Sequence, residues 1–161
     1  RVVCCCAGAL EGVVGRGMVS VGGLVNASIG RHPTVRTRMA VNQSGKPAIT
    51  HYRIAERLSH HTSLSVSLET GRTHQIRVHL ASRNNPLIGD PVYGGRPRPP
   101  AGANTELQTA LRTFSRQALH AQTLAFDHPA TGQRCQFETP LPDDLIQLLA
   151  VLRAHDTVAS L

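Results

Sequence analysis

Two arginines stand close together in Gly71-Arg72-Thr73-His74-Gln75-Ile76-Arg77-Val78-His79, where the apolar pattern opens a short helix. A guanidinium can clamp a carboxylate or a phosphate through two parallel hydrogen bonds, so a pair at a helix start points to an anionic partner. An arginine within bonding distance of a carboxylate also keeps that acid ionised and fixes its orientation. His74, Gln75 and His79 add polar groups to the faces that the apolar stripe leaves over.

The elements that must position these groups are legible around them. Leu64, Val66 and Leu68 alternate with Ser63, Ser65 and Ser67, which predicts a strand with one apolar face. Gly71 is expected in a tight turn that a Cβ would resist, and Thr73 as the N-cap bonding the N–H of Gln75 or Ile76. Ile76 and Leu80, with Val78 and Ala81 beside them, give a helix over 73–83 its buried side. Asn84, Asn85 and Pro86 stop it, because Asn tolerates a left-handed cap and Pro cannot continue a helix. Asp90, among the glycines of Pro86-Leu87-Ile88-Gly89-Asp90 and Val92-Tyr93-Gly94-Gly95, is expected to cap backbone N–H groups and to organise the turn.

Upstream, 48–59 and 62–70 read as a hairpin joined at His60-His61, histidines expected to be exposed. Ile49, Tyr52, Ile54 and Leu58 supply its apolar positions; Thr50, His51 and Arg53 supply the polar ones. Downstream, Leu107, Leu111 and Phe114 pattern as a helix over 105–114. Ala118 to Phe126 reads as one buried strand holding His120 as a hydrogen-bonded core residue, paired with Arg134 to Glu138 across a turn at Pro129 to Gly132. A last helix starts at Pro142-Asp143-Asp144, acids where the helix dipole favours them, and buries Leu145, Leu148, Leu149 and Leu152. Residues 1–17 are apolar and Gly-rich, with Val2 and Val3 able to open a buried strand.

A chain of 161 residues with 40% hydrophobic residues is one domain's worth, long enough for a core. Aromatics are only 3%, without Trp, so base stacking has few platforms and a generic single-strand binder is disfavoured. The net charge of +7 and a pI near 10.3 make nucleic acid the expected partner, and all but one of the 17 basic residues are Arg, Lys46 being the lysine. In the segment Arg31-His32-Pro33-Thr34-Val35-Arg36-Thr37-Arg38, an extended backbone would put Arg36 and Arg38 on one face, fit to track phosphates; an exposed hairpin with solvating charge is the competing reading. Arg96-Pro97-Arg98 is a stiff basic loop open to the same two readings. The candidate RNA contacts are Arg31, His32, Arg36, Arg38, Lys46, Arg72, His74, Gln75, Arg96 and Arg98. Cys4, Cys5, Cys6 and Cys135 have no metal-ligand spacing, so no metal is expected and free thiols fit a reducing cytoplasm. No apolar run approaches a membrane span.

The run TGRTHQIRVHLA at 70–81, followed by PLIGDPVYGG at 86–95, resembles the catalytic-domain signature of ribosomal-RNA pseudouridine synthases of the RluA and RluD type. GKPAITHYRI at 45–54 and RQALHAQTLAFDHPATG at 116–132 resemble further stretches of those enzymes in the same order, so the likeness covers roughly residues 18 to 156. It implies an α+β fold: a mainly antiparallel mixed sheet with helices at its flanks and RNA in a cleft by the helix at 73–83. It also implies a cytoplasmic isomerase that converts uridine to pseudouridine in RNA with no metal or organic cofactor. Arg77 matches the family's basic residue that pairs with the essential aspartate. That aspartate belongs to an Arg-Leu-Asp motif, and none of Asp90, Asp127, Asp143, Asp144 and Asp156 follows Arg-Leu. A tyrosine that the family places near the chain's start also has no counterpart before Tyr52. With Arg1 in place of Met as well, 1–161 is expected to be a single partial catalytic domain, lacking the aspartate motif and any N-terminal RNA-binding domain, inactive alone. The alternatives are a basic RNA-binding module without chemistry and a truncated remnant.

Overall fold

The computed structural model describes residues 9–15, 21–58 and 60–159. Val2, Val3, the cysteines at 4–6, Met18 and Val19 lie outside the described residues. In chain order the elements are β1 Leu10–Val14, β2 Gly22–Asn26, β3 Ile29–Arg31, β4 Met39–Val41, β5 Ile49–Arg57, β6 Thr62–Leu68, α1 Gln75–Ser82, α2 Thr105–Thr113, β7 Leu119–Ala121, β8 Thr123–Asp127, β9 Arg134–Glu138 and α3 Asp143–Ala159. This is the α+β architecture expected. A five-stranded sheet runs in the order β2-β5-β6-β1-β7, and β3-β4 and β8-β9 form separate two-stranded ribbons. Every strand pair among the described residues is antiparallel.

The alternation expected of β6 holds from Leu64 to Ser67 but not at Ser63, which is buried where the strand pairs with β1. Leu64 and Val66 are buried while Ser65 and Ser67 are exposed. With Val14, Val25 and Tyr52 they make one face of the sheet, and Ile76 and Leu80 of α1 pack on it together with Leu87. Val13, one step along β1, points the other way and joins a second cluster with Leu107 and Leu111 of α2 and all four leucines of the α3 stripe. Burial of each such side chain is worth about 1.5–3 kcal/mol, so the two clusters carry most of the favourable energy. Asn104 caps α2, its side-chain oxygen accepting from Leu107 N–H at 2.9 Å.

Several expectations are corrected here. Ala118–Phe126 is two strands, because the N–H groups of both Gln122 and Thr123 donate to the Ala9 carbonyl (3.0 and 3.1 Å) and the chain bends there into a different sheet. His120 Nε2 is buried without a hydrogen-bond partner among the described residues, where a hydrogen-bonded core residue was expected. The face assignment in β5 is also different: Thr50 and Tyr52 are buried and Ile49 is half-buried, since the buried side of that strand holds a polar network described below. His61 is 5% exposed, covered rather than solvated. The basic segment 32–38 is no extended ribbon but the loop of the β3-β4 hairpin. There His32 Nδ1 accepts from the N–H of Thr34 and Val35 (3.2 and 3.1 Å), and Arg38 N–H closes a turn onto Val35 (3.0 Å).

Glycine is demanded at a different place from the one expected. Gly71 has an ordinary φ and open space where a Cβ would go. Gly89 sits at φ +68, and a Cβ there would lie 2.2 Å from the Arg116 carbonyl oxygen and 2.6 Å from that of Phe114. Both strain and backbone overlap oppose substitution at Gly89. Gly89→Ala is therefore expected to lose about 2 kcal/mol or more in a urea melt, while Gly71→Ala stays within about 0.5 kcal/mol of wild type.

Candidate functional site

Helix α1 begins without the cap expected of Thr73. His74 occupies the N-cap position in the left-handed conformation (φ 57, ψ 23) and its side chain makes no capping bond. The start is held instead by Gln75, whose Oε1 accepts from the hydroxyl of Thr70 (2.9 Å) and the N–H of Arg72 (3.0 Å). Its Nε2 donates to the Ile49 carbonyl (2.9 Å) and to Thr50 Oγ1 (3.0 Å). One turn on, the Thr50 hydroxyl donates to His79 Nδ1 (2.8 Å), and His79 Nε2 donates to the Ala27 carbonyl (2.9 Å). A carbonyl only accepts, so Nε2 carries a proton. Burial lowers the His79 pKa, against the Ala27 bond, which raises it.

Gln75 and His79 are thus buried, at 3% and 0% exposure, with the donors and acceptors of both side chains engaged inside the fold. Gln75, a candidate RNA contact from its sequence position, has no group left to offer a ligand in this arrangement. The helical period then turns His74 and Arg77 to the other side of α1.

There Arg77 meets Asp90. Nε and Nη2 donate to the two carboxylate oxygens, each at 2.8 Å, with the arginine side chain 13% exposed and the carboxylate fully buried. Asp90 also accepts from Val92 N–H and Tyr93 N–H, both at 2.9 Å, which is the capping role its position predicted. Burial alone would raise the carboxyl pKa, but the bonds from Arg77, Tyr93 and Val92 outweigh it and hold Asp90 below the usual carboxylate range. Arg77 is correspondingly raised, through its bond to Asp90. The Tyr93 ring lies over the guanidinium, 5.0 Å from carbon to centroid. Nη1 makes no hydrogen bond among the described residues.

Tyr93 joins three parts of the site. Its hydroxyl accepts from Met39 N–H (3.0 Å), the residue after the basic loop, and is hydrogen-bonded to His74 Nδ1 (3.0 Å), on a ring whose pKa burial and nearby Arg77 hold down. The remaining candidates are distributed around it. Arg31, Arg36 and Arg38 are exposed in and beside the hairpin loop, with Arg31 Nη1 donating to the Arg36 carbonyl (3.3 Å), and His32 serves that loop's geometry. Lys46 is exposed, and Arg72 is half-buried with Nε donating to the Pro47 carbonyl (3.0 Å). Arg96 and Arg98 are exposed at the rim of a cavity of about 690 Å³ that Tyr93, His60, His61 and Asn84 also line. Sequence reasoning missed Asp90 and Tyr93 as the partners of Arg77; their adjacency in Gly89-Asp90-Pro91-Val92-Tyr93 was the available signal. Among the described residues, no group of His, Cys, Asp and Glu is arranged to hold a metal ion, and no helix is long and apolar enough to cross a membrane.

Gln75→Leu would leave the Thr70 hydroxyl, the Arg72 N–H and the Ile49 carbonyl without that partner, and is expected to lower stability by about 2–4 kcal/mol in a denaturant melt. A pH titration of stability follows from the two buried histidines. His61 is lowered from 6.5 to about 4, first by burial and then by the charge of His60, and His79 is lowered as well. His61 stays neutral in the folded chain while the unfolded chain takes up a proton below pH 6.5, so stability present above that pH is lost as the pH falls toward 4, and the lowered His79 adds to the loss below 6.5. The slope is at most about 1.4 kcal/mol per pH unit for each histidine, and His61→Gln should reduce it.

Comparisons with known proteins bear on the family of the chain. Residues 11–82 match the RNA pseudouridylate synthase family. Over 138 residues the chain is 55% identical to ribosomal large subunit pseudouridine synthase D of Escherichia coli K12, covering 86% of this chain and 42% of that protein. The protein of the same name from Salmonella typhimurium is 54% identical over the same length. The chain therefore spans about four-tenths of the length of the curated relatives it matches. Among solved structures, human RNA pseudouridylate synthase domain containing 4 superposes with a TM-score of 0.72 at 20% identity, covering 92% of this chain and 62% of that one. Human RNA pseudouridylate synthase domain containing 1 gives 0.66 at 23% identity, over 93% and 66%. The two human structures bear on the fold, and the bacterial relatives on descent: the chain belongs to the RNA pseudouridylate synthases and carries part of their catalytic domain.

Proposed function

We propose that this chain is the arginine-bearing part of an enzyme that isomerises uridine to pseudouridine in ribosomal RNA. The observation that carries the reading is Arg77: half-buried, aimed by a bidentate bond to Asp90, and with an Nη1 that makes no hydrogen bond among the described residues. The bacterial relatives, pseudouridine synthases of the ribosomal large subunit by name, suggest the reaction and the class of RNA. In such an isomerisation the bond from the sugar to uracil nitrogen breaks and a bond to carbon forms, with the uracil turned between the two steps. The nucleotide keeps its composition: the hydrogen on that ring carbon leaves to solvent as the new bond forms, and the freed ring nitrogen takes one up, so tritium carried at that carbon is released. The chemistry needs a carboxylate kept ionised in a site largely closed to water, and an arginine beside it does this by favouring the charged form. The aspartate would come from an Arg-Leu-Asp segment, a motif absent from these 161 residues, so we read 1–161 as a partial domain that needs that segment to turn over.

The exposed arginines supply the RNA side of this reading. Arg31, Arg36 and Arg38 on the hairpin, Lys46, Arg72 and His74 by the start of α1, and Arg96 and Arg98 after Tyr93 would contact phosphates, and their number predicts strongly salt-dependent binding. The compartment we propose is the cytoplasm.

The test is a graft of residues 10–156 onto the upstream part of the Escherichia coli relative, assayed by tritium release from uridine-tritiated ribosomal RNA. The chimera should release tritium, the 161-residue chain alone should not, and Arg77→Ala in the chimera should slow release about a hundredfold or more. A folded chimera that binds RNA but releases no tritium would leave a binding module in place of an enzyme.

A further inference from the structure

We propose that Asp90 and Tyr93 are positioning residues for Arg77, and that Tyr93 makes the orientation of this guanidinium respond to what the β3-β4 hairpin loop holds. The inference rests on the reading of Arg77 as the partner of an acid, and goes past it by naming what aims the arginine and what the aim is coupled to.

An arginine side chain has four rotatable bonds and no preferred direction of its own. At position 77 the freedom is removed from both ends. Asp90 takes the Nε and Nη2 edge, a fork-to-fork contact that fixes the plane of the guanidinium. The carboxylate cannot swing with it, because one of its oxygens is also pinned by the N–H groups of Val92 and Tyr93. The Tyr93 ring covers one side of the cation at 5.0 Å, an arrangement favoured by the ring's negative face. What is left over is Nη1, a donor without a partner among the described residues, on a side chain that is 13% exposed. That is a geometry for receiving one further anionic oxygen from a fixed direction.

The coupling follows from a single oxygen. The Tyr93 hydroxyl accepts from Met39 N–H, and Met39 opens β4 directly after Arg38, so the basic loop and the ring over Arg77 share an attachment. The other side of that hydroxyl bonds to His74 at the N-cap of the helix that carries Arg77. A phosphate gripped by Arg36 and Arg38 would shift the Met39 backbone and, through Tyr93, the cation beneath its ring. No direct contact between the loop arginines and Arg77 is needed.

The experiment is nitrogen-15 NMR of arginine Nε–H groups in the 161-residue chain, free and with a short uridine-containing RNA hairpin. In the wild type the Arg77 Nε–H should exchange with water at least about tenfold more slowly than that of exposed Arg36, and RNA should shift its resonance. Tyr93→Phe keeps the ring over the cation and leaves Asp90 intact, so protection should stay within about twofold while the RNA-dependent shift disappears. Asp90→Asn should abolish the protection; if that variant does not fold, the phenylalanine variant decides alone. Fast exchange at Arg77 in the wild type, RNA binding without a shift there, or a Tyr93→Phe chain that responds like wild type would each overturn the proposal. Tritium release is not among these readouts, so a chimera that fails to isomerise uridine sinks the enzymatic reading without touching this one.

Discussion

Helix α1 is fastened to strand β5 by a chain of hydrogen bonds that passes from Ile49 through Thr70, Gln75 and Thr50 to His79 and ends on the Ala27 carbonyl. Each hydroxyl in the chain accepts one bond and donates the next, so the direction of every proton is set by its neighbours. An eight-residue helix has little stability of its own, and here its side against the sheet combines this polar ladder with Ile76 and Leu80. Ladder and apolar pair together specify the rotation of the helix about its axis. That rotation decides where Arg77 points.

With α1 turned this way, positive charge in the fold divides into two kinds. Arg77 is half-buried beside a fully buried carboxylate, and its charge is kept because the pair is bidentate and the carboxylate has two further N–H donors. A buried pair of this sort gains little net stability, since desolvation offsets much of the attraction, so its retention is easier to understand as a demand for orientation. The hairpin and loop arginines are exposed, individually weak and set by solvent, and they add up only over a polyanion. Tyr93 lies between the two kinds, its ring over Arg77 and its hydroxyl bonded to the backbone of Met39, the residue after Arg38.

The same division explains how the glycines act. Gly89 lets the chain pass so close to the Phe114 and Arg116 carbonyls that Asp90 arrives under Arg77, whereas Gly71 sits in open space and constrains nothing nearby. The glycine in front of the arginine motif attracts notice in the sequence, but the one in front of the aspartate bears the backbone constraint.

Periodicity sufficed for what depends on one element alone. The alternation of β6 from Leu64 to Ser67, the four buried leucines of α3, the left-handed Asn84 behind α1 and the capping by Asp90 all follow from residues near one another in the chain. What crosses between elements was decided only by the tertiary structure. A period shows which residues share a side but not which neighbour that side meets, so Gln75 and His79 read as an open polar face until β5 closed over them. His61 read as a solvated turn residue and Thr50 as an outward one for the same reason. The partner of Arg77 lies thirteen residues away, beyond any helical or strand repeat, and the fold supplied it by bending the chain at Gly89.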